Sequence, residues 1–269
     1  MLKELSWNLR KKMIGFCPLA SGSKGNCLYI GTEKTKLLID AGVSIKVLEE
    51  RLKLIGVNLH QIDAVIITHE LTDHIKGLER LTCKGQIPVF VNSDTACAIT
   101  SYVKKTPRFK IFSTGEYFSF GDIEILPFSI PHDAADPVGF TIHLEGLKIG
   151  ICADLGFVST SIVQILKECD YLYVEANHQP SMVYASARPA IYKQRVLGRQ
   201  GHLSNEECSF LIEQIFHPNL KQIYLAHLSS ECNHPDRALE TIQKKLKLLQ
   251  ADTKVSIAFQ EHCSQPVLF

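Results

Sequence analysis

The 269-residue chain has no long apolar run, no excess of either charge and no closely spaced cysteine pair. No apolar stretch approaches the length of a membrane-spanning helix, so we expect no membrane association. Because 29 Lys and Arg balance 28 Asp and Glu, the net charge is only +1, and any basic surface for nucleic acid must be local. The nine cysteines are scattered without a C-x-x-C pair, which predicts reduced core thiols in a cytoplasmic protein.

The N-terminus carries Arg10, Lys11 and Lys12, but no hydrophobic region and cleavage site follow them. This pattern is not typical of a secretory signal, so we interpret residues 1–12 as an N-terminal extension. No linker, repeat or low-complexity stretch divides the remaining chain, and we predict one domain over residues 13–269.

Strand and helix patterns alternate along the chain. Two β-rich halves with helices outside them predict an α/β fold, a four-layer αββα sandwich. Five further helices are predicted. One runs from the cap Ser44 to Gly56, a second starts near Ser93 and a third spans Ile162–Leu166. The fourth follows the capping box of Ser204 and Glu207, and the fifth spans Pro235–Leu249. The predicted strands are Met13–Leu19, Cys27–Ile30, Lys36–Asp40, Ala64–Ile67, Val89–Val91, Ile123–Ile130, Gly139–Leu144, Lys148–Cys152, Tyr171–Val174, Gln222–Ala226 and Lys254–Phe259.

The segment Thr68–His74 places two histidines and an aspartate between a predicted strand and a predicted helix. The helix is indicated by Ile75, Leu78 and Leu81, which share one helical face. Because the carboxyl ends of strands are where α/β sheets place their chemistry, His69, Asp73 and His74 are candidate site residues.

Three further polar residues also follow predicted strands directly or within two residues: His132, Asp154 and His227. Strand ends on one edge of a sandwich bring their side chains towards one point. Imidazole and carboxylate together suit zinc, manganese or iron, whereas they are poor ligands for calcium and wrong for an iron–sulfur cluster. The sequence therefore predicts a divalent metal site at this edge.

The segment Thr68–His74 resembles the T-H-x-H-x-D-H signature of the metallo-β-lactamase superfamily, with Leu71 in place of its second histidine. From about Ile14 to His227 the chain resembles the YycJ/WalJ group of that superfamily. The segments that carry this resemblance are Ala20–Asn26, Leu38–Gly42, Thr68–Gly77, His132–Pro137, Glu175–His178, Gly201–Asn205 and Tyr224–Ser229.

The resemblance implies the metallo-β-lactamase fold and two metal positions that share Asp154. One position would be held by His69, His132 and Asp154, without the imidazole that Leu71 replaces. The other would be complete, with Asp73, His74, Asp154 and His227. Glu70 is an unsuitable substitute, because adjacent side chains leave an extended backbone on opposite sides. Three protein ligands and water still suffice for a catalytic site, so we expect a weakened first metal.

The group is described as a 5′-to-3′ double-strand DNA exonuclease, so the resemblance implies hydrolysis of a phosphodiester in DNA. One or two divalent ions, Zn²⁺, Mn²⁺ or Fe²⁺, would generate the attacking hydroxide and neutralise charge on the phosphate. Asp73 and Asp154 would position the attacking water, and His202 would protonate the leaving oxygen or bind the phosphate. Asp40 would tie loops together beneath the metals.

Substrate contacts are predicted on two parts of the chain. Backbone amides, Ser23 or Asn26 would touch the substrate from the loop after the first strand, although a simple tight turn explains this loop equally. For His178 and for His202, two roles are equally open: support of the metal ligands, or contact with the substrate. The basic residues form either a solvated face or a track for the phosphate backbone, with Tyr184 and Tyr192 available to stack on bases; they are Arg188, Lys193, Arg195 and Arg199.

Two alternatives stay open on the same fold. The first is a hydrolase that acts on a thioester or a lactone, which a substrate screen would separate from a phosphodiesterase. The second is a degenerate, non-catalytic binding protein, because Leu71 removes a metal ligand.

Overall fold

The computed structural model describes residues 13–85 and 87–269, so the predicted N-terminal extension at residues 1–12 lies outside the described residues. The strands are β1 (Gly15–Ala20), β2 (Cys27–Gly31), β3 (Lys36–Ile39), β4 (Ala64–Ile66), β5 (Val89–Val91), β6 (Phe109–Ile111), β7 (Phe118–Phe120), β8 (Ile123–Ser129), β9 (Val138–Leu144), β10 (Leu147–Cys152), β11 (Tyr171–Glu175), β12 (Gln222–Ala226), β13 (Lys254–Ile257) and β14 (Val267–Leu268). The helices are α1 (Ile45–Leu54), α2 (Thr72–Ile75), α3 (Leu78–Gly85), α4 (Ser93–Thr100), α5 (Thr160–Leu166), α6 (Pro180–Ala185), α7 (Ala190–Leu197), α8 (Asn205–Ile215) and α9 (Pro235–Leu248).

Over the described residues the strands form two seven-stranded mixed sheets. The first sheet has the order β14-β1-β2-β3-β4-β5-β6, and the second has the order β13-β12-β11-β10-β9-β8-β7. In the first sheet β3 to β6 run parallel, and in the second sheet β10 to β13 do so. The carboxyl ends of several neighbouring strands therefore meet at one edge of each sheet.

Side-chain alternation along β3 shows how the layers are built. Leu37 and Ile39 belong to the apolar core between the two sheets, whereas Leu38 packs with Leu48 and Leu52 of α1. On the second sheet, α5, α8 and α9 cover the outer face in the same way. The predicted αββα sandwich of the metallo-β-lactamase type is thus confirmed, while the prediction of one domain over residues 13–269 stays a prediction.

The ranges predicted for strands agree with the structure to within two residues at each end, but some elements were missed. Strands β6, β7 and β14 have only two or three residues and are largely half-buried or exposed, so they lack a strong apolar pattern. Helices α6 and α7 were also not predicted. No helix of the described ranges has the length and apolar character needed to cross a bilayer.

The helix expected after His74 is broken into α2 and α3 at Gly77. The Gly77 amide donates to the Ala41 carbonyl (2.7 Å), and a Cβ at this position would lie 2.3 Å from the Val43 carbonyl oxygen. The close backbone approach diverts the chain from a continuous helix. It also fixes the Thr68–His74 segment against the loop that follows β3.

Candidate metal centre

The candidate residues from both sheets converge at the carboxyl ends of the strands. Each follows or ends a strand whose buried run sets the direction of the chain: Asp40 follows β3, His69 follows β4, His132 follows β8, Asp154 follows β10, Glu175 ends β11 and His227 follows β12. Asp73 and His74 enter on the short helix α2.

Three of these residues have left-handed backbone conformations that non-glycine residues rarely adopt. The φ angles are 61° at Asp40, 56° at Asp154 and 53° at His227. Such conformations cost about 1–3 kcal/mol each, and the surrounding structure must impose them. They occur directly after β3 and β12 and close after β10, where they turn the three side chains out of their strands and towards one cleft.

Asp73, His74 and His227 form a first group, which we call the Asp73 cluster. Their candidate ligand atoms all lie within 4.8 Å of one another. Asp73 Oδ2 is 3.6 Å from His74 Nε2 and 3.7 Å from His227 Nε2. Asp154 Oδ2 approaches His74 Nε2 to 3.2 Å, so Asp154 borders this cluster as the predicted bridging ligand requires.

Both imidazoles of the Asp73 cluster are oriented by buried carboxylates. Asp40 Oδ2 lies 2.7 Å from His74 Nδ1, and Glu175 Oε1 lies 2.9 Å from His227 Nδ1. Each carboxylate therefore accepts a hydrogen bond from Nδ1–H and leaves Nε2 facing Asp73. Carboxylate partners of this kind fix ring orientation and raise ligand basicity. Asp40 also accepts from the amide and the hydroxyl of Thr68, which ties the two loops together.

His69, His132 and Asp154 form a second group, the His69 cluster, and their candidate ligand atoms also lie within 4.8 Å of one another. All three side chains are buried, and His132 Nε2 is 3.9 Å from Asp154 Oδ1. The supports here are neutral, because His132 Nδ1 donates to the Gly201 carbonyl (3.1 Å) and His69 Nδ1 contacts the Thr68 hydroxyl (3.0 Å).

Leu71 occupies the extended position immediately before α2, with φ −62° and ψ 147°, and is partly buried. Its side chain offers no ligand atom to the His69 cluster. Neighbouring Glu70 is buried and accepts a hydrogen bond from the Ala135 amide (2.9 Å). It is absent from the groups of candidate ligands among the described residues, as expected of a side chain on the opposite side of the segment.

The two clusters differ in their electrostatics. Burial disfavours charged imidazole, yet the carboxylates of Asp40 and Asp154 raise the pKa of His74 well above its usual value. Asp154 and hydrogen bonds to Asp73 and Glu175 likewise raise the pKa of His227. In contrast, burial and the neighbouring His74 hold the pKa of His69 well below its usual value, and burial also lowers that of His132.

The residues present fit a divalent cation. Among the described residues, buried His69 Nε2, His227 Nε2 and Asp154 Oδ2 have no hydrogen-bond partner. The 3.2 Å approach of Asp154 Oδ2 to His74 Nε2 lacks hydrogen-bond geometry. Buried polar atoms normally have partners, so three unpartnered ligand atoms in one cleft call for a ligand. Imidazole nitrogens and carboxylate oxygens suit Zn²⁺, Mn²⁺ or Fe²⁺.

Sequence reasoning missed Glu175, which is fully buried at the end of β11. Its Oε1 contacts the Nδ1 atoms of His202 and His227 at 2.9 Å each, and its Oε2 accepts from the amides of Leu155 (2.7 Å) and Leu203 (3.2 Å). Despite burial, the two imidazoles lower the pKa of Glu175 to about 2. Like the other candidate residues, Glu175 lies at the carboxyl end of a strand, and this position could have identified it from the sequence.

His202 lies at the rim of the cleft, where its side chain is 22% exposed. Its ring centroid is 5.2 Å from that of His132 and 5.1 Å from that of His227, and its Nδ1 is 3.7 Å from Asp154 Oδ1. Because Glu175 holds Nδ1, Nε2 is left as the outer nitrogen. The structure thus brings His202 beside both clusters, and its role stays a prediction.

The other predicted substrate contacts are placed less uniformly. Asn26 is buried at the site, with Nδ2 3.2 Å from Asp73 Oδ2 and 2.9 Å from His74 Nε2. Ser23 is exposed on the same loop. His178 is buried outside the candidate ligand groups, and among the described residues its Nδ1 has no hydrogen-bond partner.

The predicted basic track lies over α7 and the turns beside it, and each of its cations already has a contact. Arg188 pairs with Glu231, and Lys193 Nζ donates to the Tyr184 carbonyl (2.7 Å). Arg195 Nε lies 3.1 Å from Asp133 Oδ2, and the Arg199 guanidinium stacks 4.0 Å from the Phe157 ring centroid. All four side chains are partly or fully exposed, so a phosphate group can reach them and replace their present contacts.

Comparisons with known proteins agree with this geometry. A family model for the beta-lactamase superfamily domain matches residues 35–227. The chain is 36% identical to "Exodeoxyribonuclease YycJ" of Bacillus anthracis over 253 residues, which cover 93% of this chain and 95% of that protein. It is 35% identical to "Exodeoxyribonuclease WalJ" of Streptococcus pneumoniae serotype 2 over 252 residues, covering 92% and 93%.

Solved structures show the same fold at lower sequence identity. The metallo-beta-lactamase fold protein YhfI from Bacillus subtilis superimposes with a TM-score of 0.69 at 15% identity, over 95% of this chain and all of that one. Zn²⁺-bound PqqB from Methylobacterium extorquens superimposes with a TM-score of 0.67 at 13% identity, over 94% and 100%.

Proposed function

Because the chain belongs to the metallo-β-lactamase superfamily, in its YycJ/WalJ-like subgroup, and is a metal-dependent hydrolase, we propose that its substrate is the phosphodiester backbone of DNA. We propose in particular a 5′-to-3′ exonuclease on double-stranded ends, acting in the cytoplasm. The observation that carries this proposal is the convergence of the Asp73 cluster and the His69 cluster on Asp154, with Arg195 paired to Asp133 beside His132.

The Asp73 cluster with Asp154 would hold one cation, and His69, His132 and Asp154 would hold the other. When bound, a divalent cation lowers the pKa of water towards neutrality and offsets charge that develops on the phosphate. Asp73 and Asp154 would orient the attacking water through their carboxylate oxygens. Asp40 and Glu175 would keep the imidazoles of His74 and His227 in the ligating orientation.

His202 would supply the proton for the leaving oxygen. Glu175 accepts a hydrogen bond from its Nδ1, which fixes the ring and leaves Nε2 available for the substrate. The ring is partly exposed, so a leaving 3′-oxygen of the scissile phosphate has access to it. This role would distinguish His202 from the metal-ligating histidines, because a ligand nitrogen must be unprotonated whereas a proton donor must carry a proton at Nε2.

The basic track favours nucleic acid over a small ester. Between Ala176 and Asn205 the chain has four Lys or Arg residues and no Asp or Glu, although its total net charge is only +1. This segment also reaches the clusters directly, because the Gly201 carbonyl accepts from His132 Nδ1 and Arg195 pairs with Asp133 next to His132. A phosphate backbone lying along α7 would therefore lead into the cleft.

Linear duplex DNA labelled at one 5′ end, with the opposite 5′ end blocked by phosphorothioates, tests the activity and its polarity. We expect metal-dependent release of the label as a mononucleotide or short oligonucleotide. Shortening of the labelled strand only from its 3′ end would contradict the proposed 5′-to-3′ polarity. Hydrolysis of a thioester or lactone in a parallel screen, with DNA untouched, would favour the other hydrolase class, and binding without any turnover would favour a degenerate protein.

A charge-reversal variant tests the track separately from the chemistry. We expect the triple substitution Lys193→Glu, Arg195→Glu and Arg199→Glu to weaken DNA binding. The slope of log affinity against log salt concentration should become shallower by about 0.9 for each phosphate that is no longer neutralised. Hydrolysis of a small phosphodiester should persist. The matched control reverses Arg237, Lys244 and Lys247, which are exposed on the outer helix α9 and give the same change in net charge. Equal effects of both variants would mean that the track has no specific role.

A further inference from the structure

Two cysteines that are remote in sequence lie in direct contact behind the cleft. The Sγ atoms of Cys17, in β1, and Cys263, in the segment after β13, are 3.3 Å apart. Cys17 is fully buried, whereas Cys263 is partly exposed. We call them the thiol pair. Both are free thiols in the structure.

The backbone holds the thiol pair in register. The Ser264 amide donates to the Pro18 carbonyl (3.0 Å), so the residues that follow the two cysteines are joined directly. Cys17 Sγ also lies 3.3 Å from the Ser264 carbonyl oxygen, which is an alternative acceptor for its single S–H proton. With the main chains held side by side, the sulfurs are already in contact at 3.3 Å, against a bonded distance of about 2.0 Å.

The two thiols differ in a way that suits thiol–disulfide exchange. Hydrogen bonding from Cys17 and the charge of Arg51 lower the pKa of Cys263 despite its partial burial. The same hydrogen bond and burial raise the pKa of Cys17 well above its usual value. Cys263 is thus the more accessible sulfur, with the lowered pKa, and Cys17 is the sheltered sulfur positioned to resolve a mixed disulfide.

We propose that Cys17 and Cys263 form a reversible disulfide on exposure to a low-molecular-weight disulfide such as oxidised glutathione. The Cys263 thiolate attacks one sulfur of the reagent, forms a mixed disulfide and releases one glutathione thiolate. Cys17 then loses its proton and attacks Cys263 Sγ, which releases the second glutathione. The protein gives up two electrons and two protons, and the reagent is reduced to two thiols.

The bond would fasten a segment that supports the metal centre. Phe259 O accepts from the Ser21 amide (3.1 Å), and the Gln260 side chain bonds to Lys24 and Gly25 of the loop that carries Asn26. The Ser21 hydroxyl in turn accepts from the His227 amide (2.8 Å). A cross-link between positions 246 residues apart removes much conformational freedom from the unfolded chain, so it would raise Tm.

Treatment of the reduced holoprotein with oxidised glutathione tests the proposal. We expect loss of two of the nine thiols titrated in denaturant, a mass lower by two hydrogens, and one cross-linked peptide containing Cys17 and Cys263. Dithiothreitol should restore all nine thiols and the original Tm. A stable glutathione adduct at Cys263, a bond between other cysteines, or no thiol loss would each overturn the proposal.

Single substitutions provide the controls. Cys263→Ser changes a partly exposed residue and should abolish both the thiol loss and the rise in Tm on oxidation. Cys97→Ser removes an exposed thiol on α4 and should leave the cross-link intact. If Cys17→Ser folds poorly because its site is buried, Cys263→Ser and the peptide map of the unaltered protein still decide the outcome.

Discussion

The Asp73 cluster and the His69 cluster meet at Asp154, which belongs to the His69 cluster and approaches His74 to 3.2 Å, but the two are supported differently. The imidazoles of the Asp73 cluster, His74 and His227, are backed by the buried carboxylates Asp40 and Glu175. His69 is instead backed by a hydroxyl and His132 by a backbone carbonyl. If Leu71 stands in place of a ligand histidine, as the resemblance implies, the missing ligand belongs to the cluster with the smaller negative charge.

This difference shows that ligand count is only part of metal affinity. Carboxylates around His74 and His227 raise their pKa values, which means that the protein places negative potential where a cation would sit. His69 and His132 have lowered pKa values, so their imidazole nitrogens are available as ligands. However, little negative charge around them offsets the positive charge of a bound ion. We expect the Asp73 cluster to retain its metal and the His69 cluster to exchange it.

The largest effect is expected where the two clusters meet. Asp154→Asn should abolish activity, since an amide carries no charge and offers one oxygen to two positions. The loss should exceed the roughly 10–100-fold typical of residues behind the ligands. His178→Asn and His202→Asn, assayed on the same DNA and a small phosphodiester, should each leave more activity. Comparable rates for Asp154→Asn and the unaltered protein would remove Asp154 from the bridging role.

Changes behind the ligands should be smaller and should affect mainly one cluster. Asp40→Asn and Glu175→Gln should each weaken metal binding at the Asp73 cluster by about 10–100-fold, because His74 and His227 lose their orienting carboxylates. Competition with a chelator of known affinity measures this change. Glu70→Gln is the matched control, since Gln retains an oxygen for the Ala135 amide and lies outside both clusters. A similar loss in the control would point to general destabilisation.

The structure brings together residues that the sequence singled out because they follow strong apolar runs, while their role as ligands stays a prediction. His69, His132, Asp154 and His227 were found from strand ends and from the resemblance. Glu175 was missed because, in the Glu175–His178 segment that carries the resemblance, only His178 was given a functional role. The left-handed turns at Asp40, Asp154 and His227 were also not predictable, since they are imposed by packing between the two sheets.

Restoring the lost ligand should narrow the difference between the clusters. In Leu71→His the new imidazole would project beside His69, two residues away along an extended segment, and would raise activity and second-metal affinity by about tenfold or more. Stability should change little, because Leu71 is partly exposed. Leu71→Asn, a better helix cap without an imidazole, controls for capping of α2. A gain of metal without a gain in phosphodiesterase activity would weaken the nuclease proposal.

The unaltered protein should show the same inequality in its metal content. His69, His132 and Asp154 offer three ligand side chains, whereas Asp73, His74, His227 and Asp154 offer four with more negative charge. Elemental analysis of protein never exposed to chelator should therefore find nearer one metal than two per chain after mild dialysis. Leu71→His, dialysed in parallel, should approach two. Two ions that resist dialysis in the unaltered protein would show that another group, such as a tightly held water, completes the His69 cluster and that the missing imidazole is not limiting.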